Sequence, residues 1–305
     1  MKTPDSHSDS WSEWLLHRRH ADDSAYGRVV QLAVQGYADR VLEGAQLSAG
    51  MTLADVGAGE GLVAFRAIDR VGPSLRVILT DISAPMLRYA ESVAQQRNVQ
   101  SQCSFIECGA DNLTGIADSS VDVVTTRAVL AYVADKKASF GEFFRVLKPG
   151  GRISITEPIL QDDAFYARAL RRRVEDPQSQ PADRFLTLLH RWKAAQFPDT
   201  EEACAKSPIA NYSERDLVNI ARAAGFSQIH LQLHIDVMPS LVASWDVFLG
   251  ISPHPWAPSL TQILAEQFTA EDRLLFEKML RPMVESGDNV NTERTAYLQA
   301  TKRST

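Results

Sequence analysis

The stretch that most constrains this chain is Met51-Thr52-Leu53-Ala54-Asp55-Val56-Gly57-Ala58-Gly59-Glu60-Gly61-Leu62. The apolar run from Met51 to Val56 predicts a strand. Leu62, Phe65, Ala67 and Ile68 recur at helical spacing behind it. Three glycines at alternate positions join the two, so no Cβ keeps a ligand away from the backbone. The helix that opens there offers unpaired N–H groups and a positive dipole end, which favours an anionic group. A dinucleotide loop requires Gly-x-Gly-x-x-Gly, with its third glycine at position 62. Leu62 occupies that position, and the third glycine falls one residue early, at Gly61.

Further strands follow at α/β spacing. Arg76 to Asp81 is an apolar run ending in an acid, 20 residues beyond Gly61. Ser83 and Pro85 then open a helix that runs to Arg97. Cys103 to Cys108 predicts a third strand and Val121 to Thr126 a fourth, after the turn residues Asp118-Ser119-Ser120. Asp135 caps a helix with apolar residues at Ala138, Phe140, Phe143, Phe144 and Leu147. Lys148-Pro149-Gly150-Gly151 stops it ahead of a fifth strand, Arg152 to Glu157.

Asp-x-Gly-x-Gly-x-Gly (Asp55 to Gly61) together with Arg145-Val146-Leu147-Lys148-Pro149-Gly150-Gly151 resembles the motifs of class I S-adenosylmethionine-dependent methyltransferases. The likeness is to the small-molecule enzymes of the ubiquinone/menaquinone-biosynthesis type, and it covers about Met51 to Pro158. It implies an α/β, Rossmann-like, seven-stranded, mostly parallel sheet with helices on both faces. The last strand would be antiparallel and slot between the fifth and sixth. It also implies S-adenosylmethionine as cofactor, held by Asp55, Gly57, Ala58, Gly59, Asp81, Ile82, Met86, Gly109, Ala110, Asp111 and Arg127. In that scheme Asp81 accepts the two ribose hydroxyls and Ile82 packs on the adenine face. The competing reading of Asp81 is a cap on the next helix, a role Ser83 already fills. Many relatives carry Gly-Asp-Ala where this chain has Cys108-Gly109-Ala110, so either Asp111 or the backbone of Ala110 is left to meet the adenine amino group.

Helical patterns flank and interrupt the core. Residues 1–10 are polar and expected to be disordered, and Trp11 to Leu47 predicts two or three amphipathic helices. The expected organisation is an N-terminal helical cap over 1–48 and a methyltransferase domain over 49–305. Helical lid insertions are expected at about 159–211 and 239–291. Capping boxes mark Ser213 and Thr269 as helix starts. Ile229 to Val237 reads as a half-exposed sixth strand, and Arg294 to Thr301 as the last.

Methyl transfer from a sulfonium needs alignment and exclusion of water, and a base only where the acceptor has a proton to lose. Tyr132 and Glu157, near strand ends, and His190, beside Trp192, are the catalytic candidates. Each also has a local structural role available to it. His230 and His234 share a strand face but lack a third ligand, so no metal is expected. Arg168, Arg171, Arg172 and Arg173 read as a charged helix face paired with Asp162, Asp163 and Glu175 rather than as a phosphate site. Cys103, Cys108 and Cys204 form no Cys-x-x-Cys pair, which fits a reduced, cytoplasmic protein.

A net charge of −6 disfavours nucleic acid as partner, and no apolar run reaches the roughly 20 residues of a membrane span. The expected partner is a small, partly apolar organic substrate, for an enzyme that acts alone or as a homodimer. Two rival readings use the same fold: a non-methylating reaction such as cyclisation or decarboxylation, and a non-catalytic binding subunit.

Overall fold

The computed structural model describes residues 9–176 and 183–304. The expectation of disorder for the first residues therefore falls outside the described residues up to position 8, as does the middle of the first insertion, 177–182. In chain order the elements are α1 (Ser10–Glu13), a wide π-type turn (Trp14–Arg18), α2 (Ser24–Ala45), β1 (Thr52–Val56), α3 (Leu62–Val71), β2 (Arg76–Asp81) and α4 (Ala84–Gln96). There follow β3 (Cys103–Glu107), β4 (Val121–Arg127), α5 (Lys136–Val146), β5 (Leu147–Pro158), α6 (Gln161–Glu175), α7 (Arg184–Gln196), α8 (Glu201–Lys206) and α9 (Glu214–Ala223). The chain closes with β6 (Ser227–Pro239), α10 (Trp245–Gly250), α11 (Leu260–Gln267), α12 (Ala270–Glu285) and β7 (Val290–Thr301).

The strands form one seven-stranded sheet in the order β3-β2-β1-β4-β5-β7-β6. β1 to β5 are parallel, and β7 runs antiparallel to both β5 and β6. The order reverses at β1 and β4, which is where open α/β sheets bind ligands outside the carboxyl ends of their strands. Consecutive apolar residues in β1 and β4 reflect burial on both faces. On one face α2, α3 and α4 bury Ala38, Val41, Phe65, Ile68 and Ala90 against Leu53, Val77 and Leu79. On the other, α5 and α9 bring Phe140, Phe143, Leu217 and Ala221 onto Val124, Ile153 and Leu298. Each fully buried large apolar side chain contributes about 1.5–3 kcal/mol, so these two layers hold the sheet.

The helix starts follow their side-chain caps. Ser83, Asp135, Ser213 and Thr269 each accept a hydrogen bond from a first-turn N–H, and the last two form reciprocal capping boxes. β4 and β6 run one or two residues past the ends read from the sequence, and two strands start well before theirs. β5 starts at Leu147, with a register shift between Val121 and Val123 on its neighbour, and β7 starts at Val290. Beyond Pro158 only β6 and β7 continue, as a two-stranded ribbon out to Pro239 and Val290.

The helices of both insertion segments share a separate core. α7 supplies Leu188, and α10, α11 and α12 supply Trp245, Ile263, Phe276 and Leu280. The N-terminal segment docks onto the turn between α10 and α11. Trp14 Nε1 donates to Ser252 O (2.9 Å), and the Arg18 guanidinium donates to Ser252 Oγ (3.1 Å), Pro255 O (3.2 Å) and Ala257 O. No helix among the described residues is long and apolar enough to cross a membrane.

Candidate functional site

A cleft opens at the carboxyl ends of β1, β2 and β4, under the N-terminal segment. It encloses about 850 Å³, part of it continuous with solvent. Gly57, Gly59 and Glu60 form its floor, Asp81, Ile82, Cys108 and Ala110 one side, and Arg127 to Val129 with Tyr132 and Val133 another. Trp11, Trp14, Leu15 and Arg19 close it from above.

The floor is held open by backbone geometry. Gly57 and Gly59 lie at φ +66° and +54°, a region costly to residues with a Cβ. A Cβ at Gly57 would run into the Val129 side chain. One at Gly59 would stand 3.6 Å from Leu15 Cδ1, filling the gap between loop and cap.

Asp81 fastens the loop from the side. Its Oδ2 accepts from the Gly59 N–H and its Oδ1 from the Ser83 N–H, both at 2.9 Å. Ser83 itself caps α4, so Asp81 is not the cap; it accepts from the N–H of the cap residue and stands on the cleft wall. Burial raises its pKa, and the two N–H donors oppose that rise. Ile82, next to it, is 54% exposed and presents a bare apolar surface to the cleft.

Asp55 lies beneath the loop rather than on the cleft wall. Its carboxyl accepts from Ala64 N–H in the first turn of α3 (3.2 Å) and from Thr125 Oγ1 on β4 (2.9 Å). Full burial pushes its pKa up to about 7. Ala58 is buried, with its N–H on Thr80 O (2.8 Å), and Met86 is buried in α4. Gly109 and Asp111 do not line the cleft itself; Gly109 lies against Ile82 and Asp111 at its edge, and Asp111 is exposed.

The three catalytic candidates separate in space. Tyr132 lines the cleft, and its ring makes edge-on contacts with Trp11 (5.1 Å between centroids) and Trp256 (5.7 Å). Burial holds its phenol well above the usual tyrosine range, so it stays protonated. Glu157 is fully buried and rivets the turn after β4, accepting from Thr126 Oγ1 (2.9 Å), Val129 N–H (3.0 Å) and Ala131 N–H (3.1 Å). His190 sits on α7, away from the cleft wall, with Nε2 2.8 Å from Asp199 Oδ2.

The other residues singled out in the sequence fall elsewhere. Arg168 and Arg171 face Glu201, Glu175 and Asp199, while Asp162 pairs with Arg294 of β7 instead of the arginine cluster. His234 packs edge-on to Tyr297, and no three His, Cys, Asp or Glu side chains converge as a metal site among the described residues.

Trp11, Trp14 and Arg19 are wall residues that the sequence reading did not single out. Their signal was present as two tryptophans three apart followed by an arginine pair. Helical periodicity alone does not separate a face that packs from a face that covers a cleft.

The sheet order with its reversed last strand, the glycine floor between β1 and α3, and the acid at the end of β2 together define a class I S-adenosylmethionine-dependent methyltransferase. The chain belongs to the methyltransferase-domain family, whose profile matches residues 47–211, just over half of it. It is 35% identical over 101 residues to the tRNA 5-carboxymethoxyuridine methyltransferase of Escherichia coli K12, covering 33% of this chain and 38% of that protein. It is 27% identical over 199 residues to the ubiquinone/menaquinone biosynthesis C-methyltransferase of Rhizobium meliloti, covering 63% and 71%. The chain thus spans about two-fifths of the length of the first of these relatives. The YcgJ protein of Bacillus subtilis has a similar fold, at TM-score 0.53 and 17% identity, with 88% of this chain and 98% of that one covered.

S-adenosylmethionine is the cofactor of this class, and the cleft fits it. The floor would be filled by side chains at Gly57 or Gly59. An acid and a bare apolar side chain stand together at the end of β2, and the Arg19 guanidinium lies above the loop beside Glu60.

Proposed function

We propose that this protein transfers a methyl group from S-adenosylmethionine to a small, partly apolar organic acceptor. One observation carries the reading: the glycine floor and Asp81 share a single cleft with the rings of Trp11 and Tyr132, which Trp256 touches edge-on from outside its wall, so cofactor and acceptor sites would be continuous. Gly57, Gly59, Asp81, Ile82 and Ala110 would hold the nucleoside and the methionyl chain. The division into a cap over 1–48 and a core over 49–305 with two helical insertions belongs to the same proposal, because Trp11 and Trp256 reach one ring cluster from opposite ends of the chain.

The cofactor supplies a methyl group on a positively charged sulfur, a leaving group that needs no protonation. The chain's residues then have to orient the acceptor and keep water out. Three aromatic rings in mutual edge contact form a rigid apolar wall for an acceptor. Tyr132, kept as a neutral phenol, serves as wall and hydrogen-bond donor and not as a base. The net charge of −6 favours a small molecule over a polyanion as substrate.

The test is incubation with methyl-labelled S-adenosylmethionine and a bacterial small-molecule extract. Label in an organic product together with stoichiometric S-adenosylhomocysteine is expected. Turnover of an added substrate without S-adenosylhomocysteine would show the non-methylating alternative.

A further inference from the structure

Two guanidiniums face the cleft without a carboxylate to hold them. Arg19 reaches it from the cap and Arg127 from the end of β4. Neither side chain makes a side-chain hydrogen bond or an ion pair among the described residues; the Arg19 guanidinium lies 5.9 Å over the Trp14 ring, and its Nε is buried without a hydrogen-bond partner. The carboxyls nearby are committed elsewhere. Asp55 is bonded to Ala64 and Thr125, Glu157 to Thr126, Val129 and Ala131, and Asp81 to Gly59 and Ser83. Glu60 lies close enough to favour the charged form of Arg19 but forms no ion pair with it.

The charge on the cleft wall decides what is missing. Arg19 and Arg127 balance Glu60 and Asp81, so the wall is neutral. S-adenosylmethionine brings a sulfonium, an ammonium and one carboxylate, which makes the loaded cleft positive. Its single carboxylate can neutralise only one of the two arginines. An unpaired buried charge is costly, and a guanidinium is matched best by a planar, bidentate oxyanion.

The two guanidiniums lie within electrostatic reach of each other and of Tyr132, and what divides them is the element each comes from and its other neighbours. Arg19 follows Leu15, whose side chain covers Gly59, and lies beside Glu60 on the glycine floor. Arg127 adjoins Ala128, Val129 and Tyr132, the aromatic end. Resting on the methyltransferase reading above, we propose that the acceptor is an organic acid whose carboxylate is bound by Arg127, while Arg19 takes the carboxylate of the cofactor. This moves Arg127 from the cofactor, where the sequence resemblance puts it, to the acceptor. It also requires no general base at the aromatic end, where Tyr132 is held as a neutral phenol. An ionised acceptor oxygen supplies the electron pair of the new O–C bond, the pair of the broken S–C bond goes to sulfur, and no proton has to leave.

The experiment is a binding titration on the full chain loaded with S-adenosylhomocysteine. The probes are matched acids and neutral amides: benzoate and benzamide, 3-phenylpropionate and its amide, 2-naphthoate and 2-naphthamide. At least one acid is expected to bind ten-fold or more tightly than its amide. Arg127→Gln should abolish that preference while leaving S-adenosylhomocysteine affinity within about three-fold, and Arg19→Gln should weaken S-adenosylhomocysteine by ten-fold or more. Equal binding of acid and amide across all pairs, a comparison made on the wild type alone, overturns the proposal. So does an acid preference that survives in Arg127→Gln. Failure of the wild type to bind S-adenosylhomocysteine would instead overturn the methyltransferase reading on which the proposal rests.

Discussion

Asp55 shows what one buried carboxyl does to this protein's response to pH. Its pKa in the folded state, about 7, stands above the 3.8 of an exposed aspartate. A carboxyl raised on folding favours the native state fully below its unfolded pKa, and that contribution is lost as pH rises through the folded value. Over a shift of this size the loss is on the order of 4 kcal/mol between about pH 4 and pH 7. Asparagine keeps an acceptor for Ala64 and can donate to Thr125. Urea unfolding of wild type and Asp55→Asn across that window should therefore show the stability of wild type falling relative to the variant, and parallel curves would contradict the placement. Glu157 gives a second residue-level test, as a rivet and not a base. Glu157→Leu strips acceptors from two buried N–H groups and should cost about 2–4 kcal/mol, whereas Glu157→Gln, which retains one acceptor and the shape, should cost about 1 kcal/mol or less in the same measurement. The sequence places Glu157 at a strand end beside the site. What it does not show is that the following turn presents N–H groups to that carboxylate, because a turn's direction is set by tertiary packing.

At the scale of elements, the strands were legible wherever burial on both faces leaves an unbroken apolar run, as in β1, β2 and β4. The caps at Ser83, Asp135, Ser213 and Thr269 were legible because they act within one turn. The start of β7 was not. Val290 to Glu293 has no apolar alternation, and these residues are extended only because β6 pairs with them out to Pro239. The N-terminal segment was legible as helical, and its role as a cap only through the family resemblance; where it docks was not legible, since its partners lie more than 230 residues away, at Ser252 to Ala257. Arg18 is the latch in that contact, with charge-assisted hydrogen bonds to two carbonyls and a hydroxyl. Charge-assisted bonds of this kind contribute about 1.5–3 kcal/mol. Arg18→Ala should raise amide hydrogen exchange through residues 10–18 and weaken S-adenosylhomocysteine binding by roughly ten-fold. Unchanged exchange there would show that the segment is held by its other contacts.

For the whole molecule, the sheet order places the glycine floor, Asp81 and the turn after β4 around one opening, and the N-terminal segment covers it. The core motifs from Met51 to Pro158 identify that arrangement because the fold's ligand chemistry sits on backbone and strand ends, which sequence spacing records. The covering residues Trp11, Trp14, Leu15 and Arg19 come from the N-terminal segment, which is held by Ser252 to Ala257, and spacing along the chain carries no record of that convergence. The central claim is that the loop at 57–61 and Asp81 grip S-adenosylmethionine. Calorimetric titration of wild type and Asp81→Asn with S-adenosylhomocysteine tests it most directly, with thermal unfolding run alongside to score the loop bonds that Asp81 also makes. The expected result is a Kd at least about 50-fold weaker in the variant, or about 2.3 kcal/mol, with a folded protein at the titration temperature and no heat from NAD in either. An unchanged Kd in the variant, or NAD binding in competition with S-adenosylhomocysteine, would contradict it.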